Sequence, residues 1–265
     1  MLKSLAFIAI ASYAGIAILL WLLQEKLLFH PSPVMAPARA PAGWSVEEVE
    51  VPVKDGTKLA GALVKPPGPP APLVVYFGGN AEEVTGWAPG AASYGPRALL
   101  LVNYRGYGRS QGTPTEKAIV ADAVETFDWA LRRTDVDASR VALMGRSLGT
   151  GVAVQVASQR AVRAMVLVSP YDSVAEVAAA AYPWLPVRWL VRHPFDSMAH
   201  AASIEAPALI VTGTADTLIR PAHSRRLAQR WGGPVATLEL EGQGHNDIGG
   251  ERYEAAIRGF LDSRL

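Results

Sequence analysis

A long apolar segment comes first in the chain. Residues 5–23 form an almost unbroken run of apolar and small side chains, which Gln24-Glu25-Lys26 ends. About 20 such residues in a helix cross a hydrocarbon layer about 30 Å thick. The pattern predicts a transmembrane anchor over residues 1–28. The alternatives are a buried core helix and a cleaved signal peptide, whose apolar core is usually shorter, about 7 to 15 residues.

The pattern changes after this segment. Residues 31–43 are rich in Pro and Ala, which predicts an extended linker over residues 29–44. Alternating valines at 49, 51 and 53, a turn at Lys54-Asp55-Gly56 and a second apolar run predict a β-hairpin. Continuous apolar runs follow, which are typical of strands buried on both faces of a parallel sheet. These runs are residues 73–77, 98–102, 141–144, 165–168, 208–212 and 237–240.

Helical patterns separate several of these strands. The clearest covers residues 113–133, where Thr113-Pro114-Thr115-Glu116 has the form of a capping box with proline at the first helical position. Val120, Val124 and Phe127 then form an apolar stripe at helical spacing. Alternating strands and helices predict one doubly wound α/β domain over residues 45–265.

Composition restricts the chemistry that this domain can carry. The chain has 265 residues, a formal net charge of +1 and no cysteine. These values exclude a disulfide framework, a thiolate metal site and a cysteine nucleophile, and they give no electrostatic argument for binding nucleic acid. The glycine-rich segment 145–151 lacks the lysine of a phosphate-binding loop. We therefore expect no metal, no cofactor and no nucleic-acid partner.

The same glycine-rich segment predicts a nucleophile. Gly145-Arg146-Ser147-Leu148-Gly149 directly follows the strand at 141–144 and precedes an apolar helical pattern. In the G-x-S-x-G motif, a tight turn between strand and helix exposes the serine hydroxyl, and the glycines allow close backbone approach. Ser147 is therefore the predicted nucleophile. The alternative is a glycine-rich turn that contains a serine by chance.

A serine hydroxyl needs a base, and the base needs an orienting acid. Among the five histidines, His245 lies directly after the last predicted strand, where catalytic groups of a doubly wound sheet gather. Asp216 follows the strand at 208–212, and Asp172, after the strand at 165–168, is the competing acid. The predicted triad is Ser147, Asp216 and His245.

The tetrahedral intermediate of acyl transfer needs hydrogen-bond donors for its oxyanion. The backbone N–H of Leu148, next to the predicted nucleophile, is one candidate. The other is the N–H of Asn80, in the loop Phe77-Gly78-Gly79-Asn80-Ala81 after an early strand. The alternative role for this loop is a glycine turn that leads into a helix, and both roles are compatible.

With these motifs, the chain resembles the α/β-hydrolase superfamily over residues 45–265. The resemblance is closest to a single-anchor group that includes fungal bud-emergence-type proteins and eukaryotic abhydrolase depalmitoylases. It rests on Gln24–Pro31, Phe77–Ala81, Asn103–Ser110, the nucleophile turn, Pro170–Ser173 and Gly244–Asp247. It implies Ser147 as nucleophile, Asp216 as acid, His245 as base, and oxyanion donors at Asn80 and Leu148.

The chain also departs from this family in three places. Gly78 stands where the family often has a histidine, which removes a side chain that could brace the oxyanion loop. Pro89-Gly90 falls where the next helix is expected and predicts that it is broken. The N-terminal cysteines of the depalmitoylases are absent, which weakens the case for protein depalmitoylation.

Residues 171–205 lie between two predicted strands, where this fold can carry a short lid. The segment is rich in aromatic and apolar side chains, so we expect Tyr171, Trp184 and Trp189 to contact an acyl chain. The alternative is that these side chains only pack a helix on the sheet.

The predicted function is therefore a membrane-anchored serine hydrolase that cleaves small carboxylic esters or thioesters. A peptidase with the same triad and a catalytically silent membrane-tethered binding protein are the alternatives. Lys3 before the apolar run predicts a cytoplasmic amino terminus and a periplasmic catalytic domain, although Lys26 on the other side opposes this orientation. Because all catalytic candidates follow Gly78, removing residues 1–28 is expected to preserve activity.

Overall fold

The computed structural model describes residues 2–265. The strands are β1 (Ser45–Pro52), β2 (Lys58–Lys65), β3 (Ala71–Phe77), β4 (Ala98–Val102), β5 (Val136–Arg146), β6 (Ala164–Val168), β7 (Ala208–Gly213) and β8 (Val235–Leu240). The helices are α1 (Leu2–Leu28), α2 (Glu116–Leu131), α3 (Leu148–Ala157), α4 (Val174–Ala181), α5 (Val187–Leu190), α6 (Ser197–Ala201), α7 (Pro221–Arg230) and α8 (Glu251–Asp262). A 3₁₀ helix spans Val84–Tyr94.

The strands form one eight-stranded sheet in the order β1-β2-β4-β3-β5-β6-β7-β8. The first two strands make the predicted antiparallel hairpin, and β2 also pairs antiparallel with β4. All other neighbours are parallel. The carboxyl ends of β5, β7 and β8 therefore lie at the same edge of the sheet, where the predicted triad residues follow them.

Helices cover both faces of the sheet, as expected for a doubly wound α/β domain. In β3, Leu73 and Val75 face the layer that contains α2, α3 and α7. The intervening Val74 and Tyr76 face the layer that contains the 3₁₀ helix and α8. This alternation explains why the parallel strands appear as continuous apolar runs in the sequence.

One helix boundary departs from the predicted pattern. The predicted cap at Thr113 is wrong, because α2 begins at Glu116 and its N-cap is Thr115, whose hydroxyl accepts a hydrogen bond from the N–H of Ala118 at 3.2 Å. Thr115 has an extended backbone, so the helix starts two residues later. The interruption expected at Pro89-Gly90 takes the form of the 3₁₀ helix, which contains Pro89.

The N-terminal helix α1 lies outside the core. It has 27 residues, a mean hydropathy of 2.3 over its most apolar window, and no buried residue. The alternative of a buried core helix is therefore wrong. By length and composition α1 is able to cross a membrane, a test that a signal sequence also passes.

The segment 29–44 contains no helix or strand and is largely exposed, but several of its side chains pack on the domain. Phe29 is only 4% exposed and belongs to the core beneath α2 and α3. Ala38, Ala40 and Trp44 pack against the opposite layer. Consequently, the connection from α1 to the domain is held at Phe29 and near its carboxyl-terminal end.

Candidate active site

The turn between β5 and α3 holds Ser147 in an unusual backbone conformation. Its φ of 51° and ψ of −121° lie in a region that non-glycine residues rarely adopt. The turn is tight because Gly149 lies against the backbone of β3, so a Cβ there would collide with the carbonyl of Phe77. The G-x-S-x-G pattern therefore has a steric cause in this structure.

Gly149→Ala is expected to lower the free energy of unfolding by about 1–3 kcal/mol or more, because the backbone of β3 cannot move aside easily. Urea unfolding of the detergent-solubilised protein measures this change. Gly259→Ala, in α8, is the matched control. A Cβ at Gly259 meets no atom within 4 Å, so the helix should gain about 0.5–1 kcal/mol. Equal unfolding midpoints for the two variants would contradict this packing argument.

The predicted triad residues lie within hydrogen-bond distance of one another. His245 Nε2 is 2.9 Å from Ser147 Oγ, and His245 Nδ1 is 2.8 Å from Asp216 Oδ2. Arg146 Nη2 donates to the carbonyl of His245 at 3.3 Å and helps to position the loop after β8. Ser147 is 9% exposed and Asp216 is 3% exposed, so the group lies at the bottom of a cleft.

Asp216 is held as a carboxylate by several donors. The N–H groups of Leu218 and Ile219 donate to Oδ1 at 3.0 and 2.8 Å. Ser169 Oγ donates to Oδ2 at 3.0 Å, a contact that the sequence analysis missed. Burial alone would raise the pKa of Asp216, but the hydrogen bonds from His245, Ile219 and Ser169 lower this pKa below its ordinary value.

The competing acid, Asp172, has different partners. Its carboxylate lies 2.8 Å from His223 Nδ1 and accepts hydrogen bonds from Arg226 and from the N–H of Ser173. Burial would raise the pKa of Asp172, but the bonds from His223 and Arg226 lower it. Asp172 therefore fastens the start of the lid, residues 171–205, to α7.

The two segments that carry the predicted oxyanion donors both lie next to Ser147. Leu148 is the first residue of α3, so its N–H has no partner inside the helix. The loop after β3 also approaches Ser147, since a Cβ built on Gly79 would lie 3.6 Å from the Cβ of Ser147. Asn80 follows Gly79 in this loop.

The oxyanion loop is braced by side chains that sequence reasoning missed. Glu82 accepts a hydrogen bond from the N–H of Gly79 at 2.7 Å, and Tyr104 donates to the carbonyl of Gly78 at 2.9 Å. Tyr107 donates to the carbonyl of Asn80 at 2.6 Å. The family's histidine is therefore replaced by a carboxylate and two phenols. The carboxylate of Glu82, three residues after Gly79, is the one sequence signal that could have indicated this brace.

Glu82→Gln is expected to lower kcat about ten-fold with little change in KM, because one charge-assisted hydrogen bond to the loop becomes a neutral one. Steady-state kinetics on a soluble ester measure both constants. Glu83→Gln, at the neighbouring carboxylate that bonds Thr85 and Asn103 instead, is the control. A larger kcat loss in the control would contradict the proposed brace.

An apolar pocket of about 410 Å³ lies beside Ser147. Its walls come from α1, from the lid and from the loop after Asp216. Tyr171 lines it and donates to the carbonyl of Leu148 at 3.0 Å. Trp184 and Trp189 are absent from its lining and are 53% and 91% exposed, so the structure gives no support to their predicted contact with substrate.

The connection after α1 also reaches the oxyanion loop. Asn80 Nδ2 donates to the carbonyl of Leu28 at 3.1 Å, and the N–H of His30 donates to the carbonyl of Asn80 at 3.0 Å. Removing residues 1–28 would delete one of these contacts and one wall of the pocket. That such a truncation keeps its activity on small esters stays a prediction, and the loss of these contacts is a physical reason against it.

Comparisons with known proteins agree with this architecture. Residues 72–200 match the family described as alpha/beta hydrolase fold. The chain is 36% identical to an uncharacterized protein of Mycobacterium tuberculosis, over 98% of this chain and 94% of that protein. It is 28% identical to an alpha/beta hydrolase domain-containing protein of Arabidopsis thaliana, over 94% of this chain and 90% of that protein.

Solved structures give the same result. An esterase of Pyrococcus furiosus superposes with a TM-score of 0.73 at 18% identity, covering 89% of this chain and 97% of that one. An acetyl xylan esterase of Paenibacillus superposes with a TM-score of 0.70 at 22% identity, covering 93% and 94%. The matched segment, the full-length similarity and the common fold lead to one conclusion: the chain belongs to the α/β-hydrolase family.

Proposed function

We propose that this protein is a membrane-anchored serine hydrolase that cleaves carboxylic ester or thioester bonds through an acyl-serine intermediate. The observation that carries the proposal is the contact of His245 Nε2 with Ser147 Oγ at 2.9 Å, with Asp216 on the other ring nitrogen. The esterases among the structural neighbours are consistent with ester hydrolysis.

The proposed reaction has two halves. Ser147 Oγ attacks the acyl carbon while His245 Nε2 takes the hydroxyl proton. The N–H groups of Asn80 and Leu148 bind the oxyanion of the tetrahedral intermediate. When this intermediate collapses, the bond to the leaving oxygen or sulfur breaks, and His245 donates its proton to that atom. Water then attacks the acyl-serine by the same route and releases the acid and free Ser147.

Asp216 fixes the tautomer that this reaction requires. With Nδ1–H donated to the carboxylate, the lone pair of Nε2 is available to accept the serine proton. The carboxylate also stabilises the imidazolium that forms. The lowered pKa of Asp216 keeps it ionised wherever the imidazole can act as a base.

The chemistry of the pocket favours an acyl substrate over a peptide. Among its described lining residues there is no Asp, Glu, Lys or Arg, and most are aliphatic or aromatic. Such walls suit a hydrocarbon chain and offer no partner for a charged peptide terminus. Peptidase activity remains the second candidate because the same triad supports both reactions.

A fluorophosphonate probe tests the proposed nucleophile. Labelling of the wild-type protein, with no labelling of Ser147→Ala, is the expected result. A panel of p-nitrophenyl esters, the matching thioesters and aminoacyl anilides then separates the substrate classes. Faster anilide than ester hydrolysis would favour the peptidase, and absence of both labelling and hydrolysis would favour a silent binding protein.

We also propose that α1 is a retained single-span anchor, followed by the connection 29–44 and the catalytic domain 45–265 on the periplasmic side. The burial of Phe29 and the contacts of Leu28 and His30 with Asn80 support retention of the helix. Alkaline phosphatase fused after Leu265 should be active in cells. An inactive fusion, with an active cytoplasmic reporter at the same site, would reverse the orientation.

A further inference from the structure

One face of α1 is in contact with the catalytic domain. The partly buried residues of the described helix are Ala17, Leu20, Gln24, Glu25 and Leu28. Their spacing of three and four residues places them along a single stripe. The other described residues of α1, including Leu22 at 59%, are exposed. The helix therefore packs on the domain by a defined face in its carboxyl-terminal half.

Polar contacts fasten the lid along this face. Tyr13 Oη donates to the carbonyl of Trp184 at 3.0 Å, near the middle of α1. Farther along the helix, Gln24 Nε2 donates to the carbonyl of Leu190 at 3.3 Å, and Gln24 Oε1 accepts from the N–H of Arg192 at 2.7 Å. The lid thus runs beside α1 from Tyr13 to Gln24, a rise of about 16 Å along the helix.

The acyl pocket lies in the space between α1 and the lid. The helix contributes Ala17, Leu20, Trp21, Gln24, Leu27 and Leu28 to its lining, and Ser147 and Leu148 lie at the domain end. From Leu27 to Ala17 the wall extends about 15 Å toward the helix amino terminus. This length is close to the hydrocarbon depth of one bilayer leaflet, half of about 30 Å.

The α1 residues that line the pocket would lie at a defined depth in a membrane, because they are part of the predicted anchor. If residues 5–23 cross the hydrocarbon layer, Ala17 and Leu20 lie within the leaflet next to the catalytic domain. The lid edge that faces this leaflet exposes Tyr182 at 46%, Trp184 at 53% and Trp189 at 91%. Tyr13, which contacts Trp184, lies near the centre of residues 5–23, so this edge then reaches into the hydrocarbon and its exposed aromatic rings face lipid chains.

Charged groups lie farther along the lid, toward the carboxyl-terminal end of α1, where the apolar run of the anchor ends. Arg188 is paired with Glu176, and Arg192 is paired with Glu25 and lies over the ring of Trp21 at 5.0 Å. Long arginine side chains at a membrane surface extend toward the headgroups while their stems stay in apolar surroundings. The exposed indoles of Trp184 and Trp189, which do not line the pocket, would then contact lipid.

We propose that the substrate is a long-chain acyl ester lipid that lies in the bilayer, and that its chain enters the active site laterally between α1 and the lid. The pocket then receives the chain from the leaflet, and the ester bond reaches Ser147 without the lipid leaving the membrane. This inference rests on the proposed serine hydrolase function. It identifies α1 as part of the substrate-binding wall in addition to its role as an anchor.

The test uses the full-length chain reconstituted in dioleoylphosphatidylcholine vesicles. The substrates are mono-oleoylglycerol in the vesicles and p-nitrophenyl acetate in solution, and the readout is the ratio of their hydrolysis rates. Leu20→Trp narrows the pocket from the α1 side, so this ratio should fall about ten-fold, as expected when about two methylenes lose their contacts. Leu22→Trp, on the exposed face, is the matched control and should keep the wild-type ratio.

A second measurement covers the case in which Leu20→Trp disturbs the packing of α1. Because the chain has no cysteine, Trp189→Cys gives a single attachment site for an environment-sensitive fluorophore. Its emission should shift to the blue in vesicles and be quenched by brominated lipid. A fluorophore at Ala138→Cys, exposed at the start of β5 on the opposite edge of the sheet, should show neither effect.

The outcomes separate the two proposals. Equal ratios for Leu20→Trp and Leu22→Trp, or a fluorophore at position 189 that brominated lipid does not quench, would overturn lateral entry while acetate hydrolysis and fluorophosphonate labelling of Ser147 persist. Loss of labelling and of acetate hydrolysis in the wild-type protein would overturn the proposed function and lateral entry with it.

Discussion

Replacing Ser147 with alanine is expected to lower kcat by about 10⁴–10⁶-fold with little change in KM. The alanine has no hydroxyl to form the acyl-enzyme, whereas the pocket and the oxyanion donors that bind substrate remain. Steady-state kinetics on a soluble ester measure both constants. A variant that keeps more than a tenth of the wild-type activity would remove the proposed mechanism.

The backbone at this position provides a control that separates catalysis from folding. Alanine has the same Cβ as serine, so Ser147→Ala should retain the cost of the φ of 51° and unfold at nearly the same urea concentration as the wild type. Glycine adopts positive φ freely, so Ser147→Gly should be equally inactive but more stable by about 1 kcal/mol. A glycine variant less stable than the alanine variant would contradict the strain at this turn.

The sheet and the triad are the parts of this molecule that local sequence patterns determine. The prediction for β4 matches its observed bounds, Ala98–Val102. All five residues are apolar and buried, as expected for a strand that is covered on both faces of the sheet. Ser147 and Asp216 follow two such buried runs, in β5 and β7, and His245 follows the edge strand β8, which is less buried. A parallel sheet brings the carboxyl ends of its strands to one edge, so the strand pattern alone is enough to bring the three side chains together.

The walls of the site depend on contacts that local patterns do not encode. Gln24 and Leu190 are separated by 166 residues in the sequence, and Ser169 and Asp216 by 47. Neither pair has a spacing or motif that indicates its contact. The contribution of α1 to the pocket wall was missed for a related reason. The helix is apolar on every face, so its sequence does not distinguish the stripe that packs on the lid from the other faces.

The aromatic residues of the lid illustrate a related difficulty. Tyr171 lies three residues after β6, so the sheet determines its approximate position, and it lines the pocket beside Ser147. Trp184 and Trp189 lie in and beside the short helix α5, whose orientation depends on contacts with α1. Hydrophobic composition alone could not distinguish a side chain that lines the pocket from one that is exposed on the lid surface.

The pH dependence of stability should report on the acid of the triad. Because the pKa of Asp216 in the folded protein is lowered, its ionisation contributes stability that is present above the unfolded-state pKa of about 3.9 and is lost as the pH falls through the folded value. Asp216→Asn lacks this contribution. The stability difference between the wild type and Asp216→Asn should therefore shrink below about pH 4.

Asp216→Asn is expected to lower kcat by about 10⁴-fold, the second largest effect, because the amide donates to His245 Nδ1 and moves the ring proton to Nε2. That nitrogen can then no longer accept the proton of Ser147.

Asp172→Asn is the matched control, since its carboxylate is equally buried but bonds His223 and Arg226. It should change kcat less than ten-fold, while weakening the charge-assisted bonds at the start of the lid should cost about 1–3 kcal/mol of stability. Kinetics and urea unfolding of the two variants give both values. If Asp172→Asn lost more activity than Asp216→Asn, the orienting acid would lie after β6, and the tautomer argument would pass from Asp216 to Asp172.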